Sequence, residues 1–282
     1  MAVNQPRANS RRVGVLVIGD IFGRPGRRAI ARHLEALKSA SGAEFVIANG
    51  ENAAAGVGIT PDVADELFKA GVDVITSGNH IWRHKEIQVA LADQKRLLRP
   101  LNFPPGAPGR GFGVFTSRSG ARIGVLNLQG RVFMEDLDCP FRAADAVLDA
   151  TRLGRDVDLW IVDMHAEASS EKTALAFHLD GRVTAVVGTH THVPTADHRV
   201  LKQGTGFITD VGMTGCYDSI IGMQAETVMP RFLTKLPTRF EPATGEGMLC
   251  AVLVRADFQT GRCQTIIPAR VGAGLSESYS FQ

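Results

Sequence analysis

The chain has 282 residues, 44% of them apolar and 21% charged, with a formal net charge of +2. That length can bury one large α/β core or be split into two domains, and the near-neutral charge offers no basic face, so direct nucleic-acid binding is not expected. The first ten residues carry no apolar signal segment, no stretch approaches the roughly 18 apolar residues of a membrane helix, and Cys139, Cys216, Cys250 and Cys263 form no C-x-x-C, which together predict a cytoplasmic protein without a membrane partner.

In chain order, residues 13–18 form a short apolar run that reads as a strand, followed by the turn-rich GDIFGRPG and an amphipathic helix over 27–40. A second strand over 45–48 leads into NGENAAAGVG. Thr60 and Pro61 then start a helix as N-cap and first helical residue, and it stops at Gly71. A third strand over 72–76 ends in SGNH, with a helix over 85–92. This rhythm argues for a mainly parallel sheet covered by helices.

The Pro/Gly-rich LLRPLNFPPGAPGRGFG is a long loop, after which strands are expected at 113–116 and 122–128. A helix over 141–152, a strand at 159–163, a helix over 171–179 and a strand at 184–187 continue the pattern. Residues 199–211 and 248–270 read as hairpins. There are no internal repeats and no linker, so the expected organisation is one domain over 12–271 with flexible tails at 1–11 and 272–282.

Polar side chains collect where the strands end. The first strand delivers Asp20, the second Glu51 and Asn52, the third Asn79 and His80, the fourth His165 and Glu167, and the next His190 and His192. Sites in open α/β sheets form beyond the carboxyl ends of the strands. Taken alone, Asp20 reads as a turn residue, Asn79 as a cap and His165 as a core histidine; their joint placement describes a convergent site. His190 and His192, two apart, point to the same side if the segment is extended. Carboxylates, amides and imidazoles without thiolate suit Mn, Fe or Zn. Six or seven such ligands exceed the roughly three plus water of one catalytic zinc, and match two metals sharing a carboxylate of Glu51 or Asp20.

The motifs GD, GEN, GNH, MHAE and GTHTH, in that order, resemble those of the calcineurin-like metallophosphoesterases, and in particular the YmdB-like branch. The likeness extends over ANGENAA, TSGNHIW, RPLNFP, NLQGRVFM, LDCPFRAAD, DMHAEASSEK, DGRVTAVVGTHTHVPTAD, ITDVGMTGCYDSIIGM and RFLTKLP. Two departures from the wider superfamily fit that branch: Phe22 stands where a D-x-H motif has histidine, and Glu51-Asn52 replaces the usual GDxxD.

The resemblance implies an αββα sandwich, two β-sheets flanked by helices, with the site at the carboxyl ends of the strands. It implies two metal ions, iron foremost with manganese, zinc or magnesium as alternatives. Glu51 would bridge them, with Asp20 and His192 on one and Asn79, His165 and His190 on the other; Asn52 is a further ligand of unassigned metal. His80 would protonate the leaving oxygen while a metal-bridging hydroxide attacks. The implied activity is hydrolysis of small cyclic nucleotides, 2′,3′-cyclic phosphates to 3′-monophosphates, by a homo-oligomer.

Competing expectations are a phosphomonoesterase or nuclease on the same metals, and a regulatory protein acting through a partner in RNA processing or signalling. Glu167 and Asp163 are expected to orient imidazoles, and Arg131 and residues 214–219 to line the substrate cleft. His33, His84, His178 and His198 match no ligand motif.

Overall fold

Strand β1 (Arg12–Ile18) sets the architecture: Val13, Val15 and Val17 enter one core, Leu16 and Ile18 another, and none of the five is more than 1% exposed. Side chains alternate along a strand, so an all-apolar run marks one covered on both faces. The computed structural model describes residues 12–281. After β1 come α1 (Gly23–Ser41), β2 (Phe45–Asn49), α2 (Pro61–Lys69), β3 (Val74–Thr76), α3 (Ile87–Asp93), β4 (Phe112–Thr116) and β5 (Arg122–Gln129). The second half contains α4 (Pro140–Ala150), β6 (Leu159–His165), α5 (Ser169–His178), β7 (Ala185–Thr189), β8 (Arg199–Val200), β9 (Gly206–Ile208), α6 (Ala225–Thr234), β10 (Met248–Asp257) and β11 (Cys263–Gly272).

Two sheets result, in the orders β11-β10-β1-β2-β3 and β4-β5-β6-β7-β9-β8. Within the first, β1, β2 and β3 run parallel; within the second, β5, β6, β7 and β9 do. Val15, Ile47, Val125, Ile161 and Val187 pack between the sheets. Helices α1 to α3 close the outer face of the first sheet, and α4 and α5 that of the second, around Trp160. These are the expected four layers, α, β, β, α.

At the carboxyl ends of the strands the apolar layer between the sheets gives way to polar contacts that cross it. Asn49 Nδ2 and Thr76 Oγ1 in the first sheet donate to Asp163 Oδ2 in the second, at 3.0 and 2.5 Å. Asn127 accepts from Ser77 N at 2.9 Å and returns a bond from Nδ2 to Ser77 O at 3.0 Å. All of these groups are buried, so each bond fixes the two sheets relative to each other.

Four elements differ from the sequence reading. Helix α1 begins at Gly23 and not 27, with Pro25 in the first turn, where a missing N–H costs no hydrogen bond. Strand β3 starts at Val74, because Val72 N still bonds back to Leu67 O at the exit of α2. Helix α6 has no counterpart in the sequence reading. Residues 272–281, expected as a flexible tail, are tied back: Ser278 and Arg270 exchange two backbone hydrogen bonds, and Arg255 Nη2 donates to Phe281 O. The tail expected at 1–11 lies outside the described residues.

Helix α2 starts as expected, with Thr60 Oγ1 accepting from Val63 N at 3.3 Å and Pro61 at the first helical position. The cap also closes the loop that carries Glu51 and Asn52. Thr60→Ala is expected to lower global stability by about 1 kcal/mol, read as a fall in the urea midpoint without a change in slope.

Candidate metal centre

The parallel strands of both sheets end on the same side of the molecule, and β1, β2, β3, β6 and β7 each lead into a side chain of the cluster. One carboxylate is common to two groups of facing ligand atoms: Glu51 with His165 and His190, and Glu51 with Asp20 and His192, the atoms of each group lying within 4.8 Å of one another. His165 Nε2 is 3.1 Å from Glu51 Oε2, 3.2 Å from Asn79 Oδ1 and 3.1 Å from His190 Nδ1. Both oxygens of Asp20 face His190 N. Gly78 of the SGNH turn is required by this crowding, since a Cβ there would collide with the His165 ring and the Glu51 carboxylate.

Each imidazole is oriented by a bond on its far nitrogen. Thr189 Oγ1 donates to Asp163 Oδ1 at 2.7 Å, so it accepts from His165 Nδ1–H at 2.9 Å. His190 turns Nε2 to Glu167 Oε2 at 3.1 Å, and His192 donates from Nδ1 to the Ile221 carbonyl at 2.9 Å. The nitrogens turned to the cluster are therefore Nε2 of His165, Nδ1 of His190 and Nε2 of His192, each carrying a lone pair when its ring is neutral. Glu167 thus orients an imidazole directly, and Asp163 does so through Thr189. Phe22, in place of a histidine, packs edge-on against the His192 ring at 5.5 Å.

Charge follows from this geometry. Burial pushes the Asp20 carboxyl up to about 6, with His192 and His165 pulling against it. Burial also opposes the Glu51 carboxylate, but His165 foremost, then His80 and His190, hold it below the usual range. On His165 burial is outweighed by Glu51, then Asp20 and Asp163, and the imidazole rises to about 9. Burial and the neighbouring His165 drive His190 down to about 3. Without a bound cation, a proton on His165 thus balances the buried carboxylates, and a metal ion at Nε2 would take its place.

Asn52 turns its NH2 to Glu51 Oε1 at 3.0 Å and to His192 Nε2 at 3.2 Å, and its carbonyl to His80 Nδ1 at 2.8 Å. An amide nitrogen offers no lone pair to a cation, so in this orientation Asn52 links the cluster to His80; a role as ligand requires the amide reversed.

The reading of His190 and His192 as neighbours on an extended segment does not hold. Strand β7 ends at Thr189, and both histidines have left-handed backbones, with φ of 94° and 66°. Such values are costly for a side chain with a Cβ and persist only where the surroundings impose them. Thr191 supplies that hold: Asp210 Oδ2 accepts from Thr191 N at 3.1 Å and from its Oγ1 at 2.6 Å. Asp210 is in turn paired with Lys172 Nζ at 2.9 Å, and both are fully buried. Lys172 and Asp210 escaped the sequence reading; the charged residues in SSEK and ITD were their only signal.

A cavity of about 610 Å³ opens on the cluster. Glu51, Asn52, His80, His190 and His192 form its floor, while Asp20 and His165 lie buried beneath. The wall is made by residues that sequence reasoning missed, among them Phe22, Val57, Ile221, Phe232 and Phe240. Arg131 and residues 214–219, expected at the cleft, do not line it: the Arg131 backbone is held by the Glu171 carboxylate, and Ile220, Ile221 and Met223 stand at the wall instead. The remaining histidines are elsewhere or structural; His84 holds the Val57 carbonyl and His178 pairs with Asp145.

Two packed sheets covered by helices, with carboxylates and imidazoles at the shared strand ends, define a protein of the metallophosphoesterase type. The chain belongs to the YmdB-like protein family, which it matches over residues 16–269. It is 46% identical over 252 residues to the 2′,3′-cyclic-nucleotide 2′-phosphodiesterase of Bacillus subtilis, covering 89% of this chain and 94% of that protein. Two crystal structures are similar. A hypothetical protein from Thermus thermophilus has a TM-score of 0.86 and 45% identity, over 93% of this chain and all of that one. A novel phosphatase from Mycoplasma pneumoniae has a TM-score of 0.87 and 34% identity, over 94% and 95% of the two chains.

Removing one partner of a buried ion pair leaves an uncompensated charge. Asp210→Ala is expected to cost about 3–5 kcal/mol, measured by chemical denaturation, and Lys172→Met in the same chain to recover part of it.

Proposed function

We propose that this hydrolase is a two-metal phosphodiesterase that opens nucleoside 2′,3′-cyclic phosphates to 3′-monophosphates. The observation that carries the reading is the 3.1 Å approach of His165 Nε2 to His190 Nδ1. With His165 Nδ1 bound to Thr189 and His190 Nε2 bound to Glu167, two lone pairs face each other beside a carboxylate. Such an arrangement is repulsive unless a cation lies among them, either a proton on His165 or a metal ion in its place, and the convergence of Asp20, Glu51 and three imidazoles gives a donor set that fits metal ions.

Asn79, His165 and His190 would hold one ion and Asp20 and His192 the other, with Glu51 in both shells and Asn52 a further ligand if its carbonyl turns inward. Nitrogen and oxygen donors without thiolate favour iron, with manganese, zinc or magnesium as alternatives. Bound there, two cations supply an activated water and neutralise the charge of the phosphoryl group.

The chain's own residues do the rest. Asn52 lies against His80 Nδ1; with the amide reversed, as ligation requires, its NH2 would donate to Nδ1 and leave Nε2–H to hand a proton to the departing 2′ oxygen, a contribution of roughly 10²–10⁴-fold. Glu167 and Thr189 keep the His190 and His165 rings aligned, and the apolar wall limits water around the substrate. The name of the Bacillus subtilis relative supports cyclic nucleotides as the substrate class.

No helix among the described residues is long and apolar enough to cross a membrane, and all four cysteines are unpaired, which suits a reducing cytoplasm. A stripe of exposed Met229, Leu233 and Leu236, on and just beyond α6, is the surface suited to self-association.

The test uses protein purified with iron or manganese. His80→Ala is expected to keep its metal and lose roughly 10²–10⁴ in kcat on 2′,3′-cAMP. His190→Ala and His192→Ala should each lower metal content, at different ions, and Glu51→Gln should lower both. Metal-loaded wild-type protein that leaves both 2′,3′-cAMP and bis-p-nitrophenyl phosphate intact would sink the reading. Faster turnover of monoesters or RNA oligomers would reassign it to a phosphatase or nuclease.

A further inference from the structure

Across the cavity from the carboxylates and imidazoles stands one face of α6. Val228, Arg231 and Phe232 of α6 line the cavity at offsets of three and four that place them along one side of the helix, and Lys235, the left-handed residue that ends it, lines the cavity as well. Phe240, in the segment that follows, joins them, with the Arg231 guanidinium 5.9 Å from its ring centre.

Two features of this face are not explained by packing. Only Val228 of α6 is buried, so Phe232 and Phe240 remain 63% and 38% exposed. Arg231, in the last turn of α6, and Lys235, the residue that caps it, are like charges bordering one cavity. Among the described residues neither has an ion-pair partner. The helix dipole favours cations at this end, but side chains turned to open water would satisfy it equally well. Both are exposed, and both border the cavity that holds Glu51 and His80.

The cavity is also larger than a phosphoryl group requires. Its 610 Å³ falls in the range of about 300–1,000 Å³ that accommodates a whole small-molecule ligand. A ligand whose scissile phosphate lies on the cluster has room to extend along the aromatic wall toward the two cations. Aromatic side chains accept any nucleobase by stacking, and paired cations select an anion.

We infer that the α6 face is a second subsite, taking the base on Phe232 and Phe240 and a phosphoryl group on the 5′ oxygen on Arg231 and Lys235. The substrate class is then a nucleotide with a 2′,3′-cyclic phosphate at one end and a 5′-phosphate at the other. The inference rests on the phosphodiesterase reading above and extends it. In the reaction water adds its oxygen to the cyclic phosphorus, the bond from phosphorus to O2′ breaks and O2′ takes a proton, giving the nucleoside 3′,5′-bisphosphate. The 5′-phosphate is either a terminal monoester or the link to a preceding nucleotide.

The experiment compares metal-loaded wild-type protein with Arg231→Gln, Lys235→Gln and the double variant. Substrates are 2′,3′-cAMP, its 5′-phosphorylated form, and a diadenosine dinucleotide ending in the cyclic phosphate. The wild type should prefer the 5′-phosphorylated substrate in kcat/KM by about tenfold per cation, and the double variant should show a preference near one. A larger preference for the dinucleotide would identify the phosphate as internucleotide. Binding is read separately by calorimetry, with adenosine 3′,5′-bisphosphate against 3′-AMP as probes; the same gap should close in the double variant. Equal binding of the two probes by the wild type, or a gap the double variant retains, overturns the subsite. A gap in binding with no hydrolysis of any phosphodiester overturns the catalytic reading and leaves the subsite standing.

Discussion

Asp163 is the residue on which the site's geometry depends. Its buried carboxylate accepts from Asn49 of β2, Thr76 of β3 and Thr189 of β7, so one side chain ties two strands of the first sheet to two of the second. A dry interface between sheets fixes their separation but constrains sliding weakly, because apolar contact has no direction. Hydrogen bonds do have direction, and an unpaired buried carboxylate is costly. The sheets are therefore held in one register where their carboxyl ends meet. Thr189, having given its hydrogen to Asp163, can only accept from His165, and that decides which nitrogen faces Glu51. The contact that aligns the sheets also sets the tautomer of a candidate ligand.

The second constraint is the turn that carries His190 and His192. Two non-glycine residues with left-handed backbones, separated by one threonine, would relax to other conformations in an unsupported loop. Lys172 and Asp210 prevent this from behind, holding Thr191 by its backbone N–H and its hydroxyl. A buried ion pair is poor value as a source of stability. Here it supplies direction: the two imidazoles flank a residue that cannot move, and they reach different groups of atoms around Glu51.

The sequence disclosed the parts of this arrangement that are local. An apolar run followed by Gly-Asp, Gly-Glu-Asn or Gly-Asn-His states both a strand and what stands at its end, and parallel strands bring such ends together without further information. Thr60-Pro61 was legible for the same reason, since a cap involves residues three apart. What stayed hidden depends on partners distant in sequence. Thr76 and Asp163 are 87 residues apart, and Ser77 and Asn127 are 50 apart, and no local pattern relates them. Left-handed angles at His190 and His192 were unreadable because glycine, their usual marker, is absent. Helix α6 failed for another reason. Its periodicity is split between a stripe facing the cavity and a stripe facing outward, with Pro230 inside, so no single buried face emerges from the pattern.

That last failure distinguishes two kinds of surface in one cavity. The floor is made of strand ends, pinned by buried hydrogen bonds, where a displacement of even about 1 Å would disperse the donor atoms gathered around Glu51. The far wall is a helix with one buried residue and aromatic groups left partly in water. Few buried contacts mean a low local free energy of opening, so α6 can adjust without disturbing the strand ends. Catalytic geometry demands rigidity, whereas recognition of a base and a distant anion tolerates, and admission of a ligand requires, some movement. Placing the chemistry on the sheets and the recognition on a lightly packed helix lets each be altered alone. If α6 is the proposed subsite, a substitution on it changes which ligand enters, while the imidazoles, held by Asp163 and Asp210, keep the same angle to whatever does.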